Sequence, residues 1–423
     1  MNTVIHAFGL RFYTLFLLTL SLYLATTIPA QAVPSFARQT NLPCQSCHTV
    51  FPELTPFGRS FKMHGYTMTN VTQVQDDNTD LKINQLPPIS AMLQVSVTNT
   101  KAETPSTNVD FPDQLSLFYA GEISSKMGSF IQITMEGSTG SFALDNTDIR
   151  YADQAGAVTY GATLNNNPTV QDVWNSTQAW GYPFTHGAEI TTPVINDLGG
   201  VVAGLGGYAD WGKGVYTELT FYTDTGGFDA VDSGLPSSTM TDARINGVAP
   251  YWRLAWENTF GSSDRLMLGT YGMQTTLYDL DSTNPDAPAV SGPHDKYTDI
   301  AVDTQYEHTM GNGKDIISAH ATYTNEDQSL DYSSPGDNPT LKSTRVDGIY
   351  HWDHMATATL AYNRSTGGID NSYDDTAWTA QLSYLPWQNT KFTFQYVAYT
   401  KLAGSTDAVS DNNTALLQSW LMW

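Results

Sequence analysis

Only two of the 423 residues are cysteine, and they lie together at Cys44 and Cys47. Two thiols are too few for a disulfide framework, and a structural zinc centre usually takes four Cys or His ligands, for which no second C-x-x-C and no H-x-x-x-H is present. Basic side chains are also scarce: 19 Lys and Arg stand against 42 Asp and Glu, a net charge of -23. Such a surface repels nucleic-acid phosphates and attracts cations, so no nucleic-acid partner is expected. Beyond residue 32 no apolar run approaches the roughly 18 residues of a membrane-crossing helix, and the mean hydropathy of -0.29 argues against a helical membrane protein. Charged residues make up only 14% against 40% hydrophobic, too few for a disordered chain. There is no Gly-rich phosphate loop in a βα context, no Ser/His/Asp signal and no helix-borne metal motif. What is plentiful is glycine (33), tyrosine (23) and tryptophan (10), a composition that favours β structure.

The first segment reads as an export signal spanning residues 1–32. Arg11 precedes an unbroken apolar stretch, Phe12 to Ala25, and Ala30-Gln31-Ala32 supplies an A-x-A cleavage site, so the mature chain is expected to begin near Val33. Shortly after it comes "NLPCQSCHTV", in which Cys44, Cys47 and His48 spell C-x-x-C-H. That spacing is the attachment signature of one c-type haem: two thiols add across the two vinyl groups, and the adjacent histidine lies under the iron as its axial ligand. Three other readings compete. A zinc site lacks further ligands, a thioredoxin-like pair lacks its βαβ context, and a short disulfide loop gives His48 no purpose.

The following "TPFGRSFKMHG" predicts a compact helix with Thr55 as N-cap, Pro56 in the first helical position and Gly65 as the left-handed terminator. Phe57, Ser60, Phe61 and His64 share one face and Met63 points away from it. If that face covers the haem, His64 is the better placed distal ligand; Met63, Met68 and an open position are the alternatives, and His64 as a plain surface residue at the helix C-terminus is another. Arg38, Arg59 and Lys62 are candidates to pair with the haem propionates, or are solvated charges. Residues 33–86 make a haem domain too small to stand on its own core, so it is expected to lean on the rest of the chain.

From residue 87 to 423 the periodicity becomes two. In "TAWTAQLSYL", Trp378, Ala380, Leu382 and Tyr384 alternate with Thr379, Gln381 and Ser383; in "KFTFQYVAYT", Phe392, Phe394 and Tyr396 alternate with Thr393 and Gln395. Apolar-out, polar-in segments of about ten residues predict a transmembrane β-barrel. About sixteen strands emerge, near 89–99, 114–122, 127–136, 142–152, 156–165, 199–209, 214–222, 248–258, 264–276, 297–308, 313–324, 341–351, 354–363, 376–385, 391–401 and 414–423. The connections alternate between short and long, which places short turns and both termini on the periplasmic side. Trp423 supplies a terminal aromatic of the kind read by outer-membrane assembly machinery. A β-sandwich or solenoid would share the alternation, but not the alternating loop lengths. A barrel of this size has a wide lumen, for which the haem domain is the expected plug. The long loop Asn165 to Phe184, with Pro168, Trp174, Trp180 and Pro183, is expected to fold inward onto it. Trp174 and Trp180 there serve either packing or electron relay.

The run "PSFARQTNLPCQSCHTVFPELTPFGRSFKMHGY", followed by a barrel containing "DNTDIRYA" and "NNNPTVQDVWNSTQAWGYPF", resembles the fused monohaem cytochrome-porin family of bacterial outer membranes, whose best-known members are iron(II) oxidases. The resemblance implies one covalent haem c on Cys44 and Cys47 with His48 as ligand. It further implies a cell outer-membrane location in contact with lipid, Fe(II) as donor and a periplasmic cytochrome or similar carrier as acceptor. Acidic loop residues Asp279, Asp281, Asp374 and Asp375 suit a hard cation such as iron, although acidic loops are mostly solvated surface. A conduit for another extracellular donor or acceptor, and a transport porin gated by its haem domain, are the alternatives.

Overall fold

The computed structural model describes residues 34–68, 73–75, 82–84, 87–136, 140, 142–170, 172–177, 188, 190–224, 243–279 and 293–423. The export signal, Trp180, Pro183 and Asp281 lie outside these residues, as does much of 69–86.

Sixteen long strands close into one antiparallel barrel. In chain order they are β1 (Ile89–Thr100), β2 (Thr107–Ser124), β3 (Met127–Glu136), β4 (Phe142–Ala155), β5 (Val158–Asn165), β6 (Val202–Asp210), β7 (Val215–Asp224) and β8 (Ala249–Phe260). They continue with β9 (Asp264–Asp279), β10 (Asp295–Thr309), β11 (Ile316–Leu330), β12 (Thr340–Trp352), β13 (Ala356–Gly367), β14 (Asp375–Trp387), β15 (Thr390–Lys401) and β16 (Thr414–Met422). Each pairs with its sequence neighbours, and β16 closes on β1 in a register that sets Leu417 opposite Val97. All sixteen expected strands are present. One short extra strand, Ala243–Ile245, pairs with β9 at its loop end.

The expected alternation is borne out. Phe392, Phe394 and Tyr396 are exposed while Thr393 and Gln395 are buried; Trp378, Leu382 and Tyr384 are exposed while Thr379, Gln381 and Ser383 are buried. A sheet that turns Leu205, Ile300, Leu360, Leu382 and Leu417 outward and polar groups inward is stable against lipid, because every backbone polar group is paired around the ring. Seven short connections share one end of the barrel with Pro88 and Trp423; the opposite end carries the longer loops. Exposed Tyr151, Tyr306, Tyr350 and Trp352 ring the short-turn end. Hydroxyls of Tyr306 and Tyr350 donate to Asp264 and Asp315, the amphipathic placement expected at a membrane interface.

The lumen is occupied by the chain itself. Helix α1 (Pro34–Thr40) is tied to β2 by Gln39, whose amide donates to the Ala120 carbonyl and accepts from the Glu122 amide. A three-residue 3-10 turn (Cys44–Ser46) and a small ribbon of His48–Val50 with Glu53–Leu54 follow. Next comes α2 (Pro56–Met63), capped as expected by Thr55, whose hydroxyl accepts from the Gly58 amide at 3.1 Å, and closed by Gly65 at φ +66. The loop after β5 also turns inward. The Asn175 side chain accepts from the Leu54 amide, and α3 (Val194–Asp197) crosses near the loop end, where backbone amides of Val194 and Ile195 donate to Glu326 and Asp299.

Candidate functional site

The C-x-x-C-H turn lies at the short-turn end of the barrel. The Cys44 amide donates to the Gln388 side chain, in the turn between β14 and β15, and Cys44 and Phe51 pack with Leu385 and Trp420 of the wall. Helix α2 is pressed onto the same turn: the Thr55 amide donates to the Cys47 carbonyl at 2.9 Å, and the Thr55 hydroxyl donates to the Ser46 carbonyl at 2.5 Å. Gly58 permits this approach, because a Cβ there would lie 2.2 Å from the Cys47 oxygen.

A small, partly open cleft adjoins the turn, lined by Cys44, His48 and Phe51 of the N-terminal segment and by His354, Leu385 and Trp387 of the barrel, among others, with Cys47 not among its lining residues. No disulfide joins Cys44 to Cys47. Burial pushes the Cys47 thiol up to about 11, opposite to the lowered value of a reactive C-x-x-C redox pair. His48 lies edge-on to Phe51, with ring centroids 5.3 Å apart, and its Nδ1 is 3.3 Å from the Pro52 carbonyl. Loss of solvation lowers its imidazole to about 4, against the opposing pull of the Pro52 and Glu53 carbonyls and of the Glu53 carboxylate. The neutral ring is therefore favoured near pH 7, and Nδ1 is the nitrogen within reach of the Pro52 carbonyl. Cys44, Cys47 and His48 are the residues that could hold a haem.

The other expected haem contacts are employed elsewhere. His64 is absent from the cleft: its Nδ1 is 2.8 Å from the Ser60 carbonyl and its Nε2 is 2.9 Å from the Gln154 side chain of β4. Met63 packs against the cluster of Val173, Trp174 and Tyr208, and Met68 is exposed. The face of α2 bearing Phe61 meets Phe36 at 5.1 Å and Tyr66 at 5.8 Å, not the cleft. Arg59 pairs with Glu307 and Glu257, the Lys62 ammonium reaches the Val170 and Asp172 carbonyls, and Arg38 donates to the Ile89 carbonyl. These three cations fix the N-terminal segment to its surroundings. Trp174 is buried, bonded to Glu257 and edge-on to Tyr216 at 5.7 Å.

A buried polar group behind His48 was not foreseen from the sequence. Glu53 is 0% exposed, with His351 Nε2 at 3.1 Å and His320 Nε2 at 3.6 Å; His320 Nδ1 in turn meets Asp347, which also pairs with Arg345. The only available signal was the inward phase of His320 and His351 in their strands. At the loop end, Asp374 pairs with Lys401, and Asp375 accepts from the backbone of Thr191 and Ala403. Among the described residues no group of three or more His, Cys, Asp and Glu side chains is arranged to hold a metal ion.

No protein-family model matches the chain, and no curated protein matches it. Solved structures do. A loop L8 deletion mutant of OmpT, an outer membrane protein of Vibrio cholerae, aligns at TM-score 0.50 and 12% identity over 79% of this chain and 98% of its own. An anion-selective porin from Comamonas acidovorans aligns at 0.49 and 10% identity, over 79% and 98%. At such identities the likeness concerns architecture alone, and the architecture of this chain is that of an outer-membrane porin barrel.

Proposed function

We propose that the chain is an outer-membrane electron-transfer protein that holds one covalent haem c at Cys44, Cys47 and His48, taking electrons from extracellular Fe(II) and delivering them to a periplasmic carrier. The observation that carries this reading is His48. Its Nδ1 faces a backbone carbonyl, which is the partner that orients metal-ligating histidines and leaves Nε2 for the metal, and it adjoins Cys44 in a cleft walled by Phe51, Leu385 and Trp387. When bound, the haem supplies a one-electron iron couple. The thiols of Cys44 and Cys47 would anchor the group and His48 would ligate it, beside the apolar side chains of Phe51 and Leu385.

In the net reaction one Fe(II) loses an electron to become Fe(III) and one oxidised carrier gains it, with no atom transferred. The cleft lies at the end bearing the short turns, the periplasmic end in barrels of this kind, where a carrier can reach it. A second reading, a solute porin, is favoured by the fold alone; the ion pairs that tie the N-terminal segment to the lumen wall count against free passage.

The test is stopped-flow absorbance of the oxidised, haem-loaded protein mixed anaerobically with Fe(II). Rapid growth of the reduced haem bands supports the reading. A haem that stays oxidised with Fe(II), yet is reduced by a stronger donor, moves the function to another electron source or to a gated porin.

A further inference from the structure

We propose that the outer face of β12 and β13, just below the long loops, is a docking site for the phosphorylated headgroup of an anionic membrane lipid, held by Lys342 and Arg364. The inference is independent of the haem. Strand alternation turns Leu341, Arg345, Asn363 and Ser365 into the lumen, where they are buried, and leaves Lys342 and Arg364 exposed on the lipid-facing side. The register makes the two cations neighbours. Lys342 stands opposite Thr366, and Arg364, two residues back along that strand, stands opposite Thr344. Such a diagonal pair is about 7–8 Å apart, close enough for two long side chains to converge on one headgroup. Among the described residues neither cation has an ion-pair partner in the chain. Of the nearby acids, Asp374 pairs with Lys401 at 2.5 Å and Asp327 accepts from the Asn325 side chain at 3.1 Å.

Depth along the barrel is the second observation. One outward position below Arg364, Tyr362 packs against Trp378 with ring centroids 4.8 Å apart, and Tyr323 and Tyr396 are exposed on neighbouring strands. Aromatic belts of this kind mark the border between hydrocarbon and headgroups. A cation just above the belt lays its stem on apolar surface and extends its charge among phosphates. Below the belt, Val346 and Leu360 are exposed and offer the acyl chains a surface, so the occupant is a lipid and not a free anion. The short-turn rim is built differently: Lys126, Lys314 and Arg265 each meet a carboxylate of the chain, at 2.6, 3.0 and 3.7 Å. In a chain of net charge -23, two adjacent cations left unpaired on the outer wall suit an external anion. Phosphate is the anion that the guanidinium fork matches.

The experiment is native mass spectrometry of the full-length protein, released from detergent micelles after incubation with dimyristoyl phosphatidic acid or dimyristoyl phosphatidylcholine. The wild type is expected to retain phosphatidic acid, and the double variant Lys342→Gln with Arg364→Gln to bind it about 30-fold more weakly. Phosphatidylcholine should bind both proteins equally. Lys126→Gln with Lys314→Gln, at the short-turn rim, should behave as the wild type does. The mobility of unheated samples on denaturing gels checks that each barrel is folded. If the double variant does not fold, Lys342→Gln and Arg364→Gln are read singly, each with an expected loss of about fivefold. Undiminished binding of phosphatidic acid in these variants, or an equal loss in the short-turn control, would overturn the proposal. Displacement of the lipid by an equal concentration of inorganic phosphate would assign the two cations to a free anion and overturn it as well.

Discussion

Arg59 grips Glu307 with both ends of its guanidinium, Nη1 to Oε1 at 3.0 Å and Nη2 to Oε2 at 2.8 Å, and the same Nη2 reaches Glu257 at 2.9 Å. One residue of α2 is thereby joined to β8 and β10. Burial disfavours the charged guanidinium, but the two carboxylates outweigh it and push its pKa further up, so the arrangement stays ionised. The net stabilisation from a buried ion pair is small, because desolvation offsets much of the attraction, whereas loss of one partner leaves an uncompensated charge.

Arg59→Met should therefore cost about 3–5 kcal/mol of plug docking. The readout is single-channel conductance in planar bilayers: a nearly silent wild type, and a variant with frequent openings. The double variant carrying Glu307→Gln as well should recover part of the silence. A wild type that conducts as freely as an open porin would contradict a seated plug.

Glu53 predicts a dependence on pH. Burial alone would raise its carboxyl; His351 and His320 outweigh burial and hold it at about 2. The folded value thus lies below the unfolded value of about 4.3. Its contribution is complete above about pH 4.3 and is lost as the pH falls through about 2. Pepsin cleavage of the N-terminal segment, normalised to a reference peptide, should rise across that window. In Glu53→Gln the same cleavage should be raised throughout and lose its step. An identical step in both proteins would assign the effect to other carboxylates.

The barrel was legible in the sequence because lipid on one side forces a strict alternation, as Phe392 and Phe394 against Thr393 and Gln395 illustrate. Where strands leave the apolar band the signal stops: β2 begins at Thr107, seven residues before the apolar pattern does, in a stretch held by backbone pairing with β1 and by side-chain bonds such as that from Asn99 to the Thr107 hydroxyl. The local grammar of α2 was equally readable, with Thr55, Pro56 and Gly65 all in their expected places. Which side chains meet its faces was not, since Gln154, Glu257 and Glu307 are remote in sequence. Charges on a short helix look solvated until a polar lumen surrounds them, as happened for Arg59 and Lys62.

The outward face offers a direct test of lipid contact. Leu382, near the middle of β14, is 60% exposed, and its neighbour Gln381 is 2% exposed and faces the lumen. Leu382→Arg should destabilise folding into vesicles by about 2–4 kcal/mol, as a cation does near the bilayer midplane. Equilibrium denaturant titration in thin-lipid vesicles measures it, and Leu382→Ala separates the charge from the lost side chain. A water-facing surface would tolerate the arginine, so a loss below about 0.5 kcal/mol would count against a lipid-facing β14.

Gly58 tests the coupling between α2 and the cysteine turn. An added methyl would lie 2.2 Å from the Cys47 oxygen and 3.1 Å from its Cα, and all the nearest atoms are backbone, so no rotamer change relieves the clash. The helix must withdraw, which stretches the Thr55 amide bond to the same carbonyl. Alanine is the better helix former by about 1 kcal/mol; local propensity alone would make Gly58→Ala stabilising, and overpacking of about 1–3 kcal/mol opposes it. The close approach should win, because backbone on both sides cannot yield. The expected outcome is a lower thermal midpoint and, on the haem reading proposed above, a reduced ratio of covalent haem to protein, because Cys47 would be displaced from its place of attachment. Ser60→Ala, on the same helix but away from that carbonyl, should retain the wild-type ratio. A Gly58→Ala protein with a higher midpoint and full haem loading would mean that α2 does not bear on the attachment turn at all.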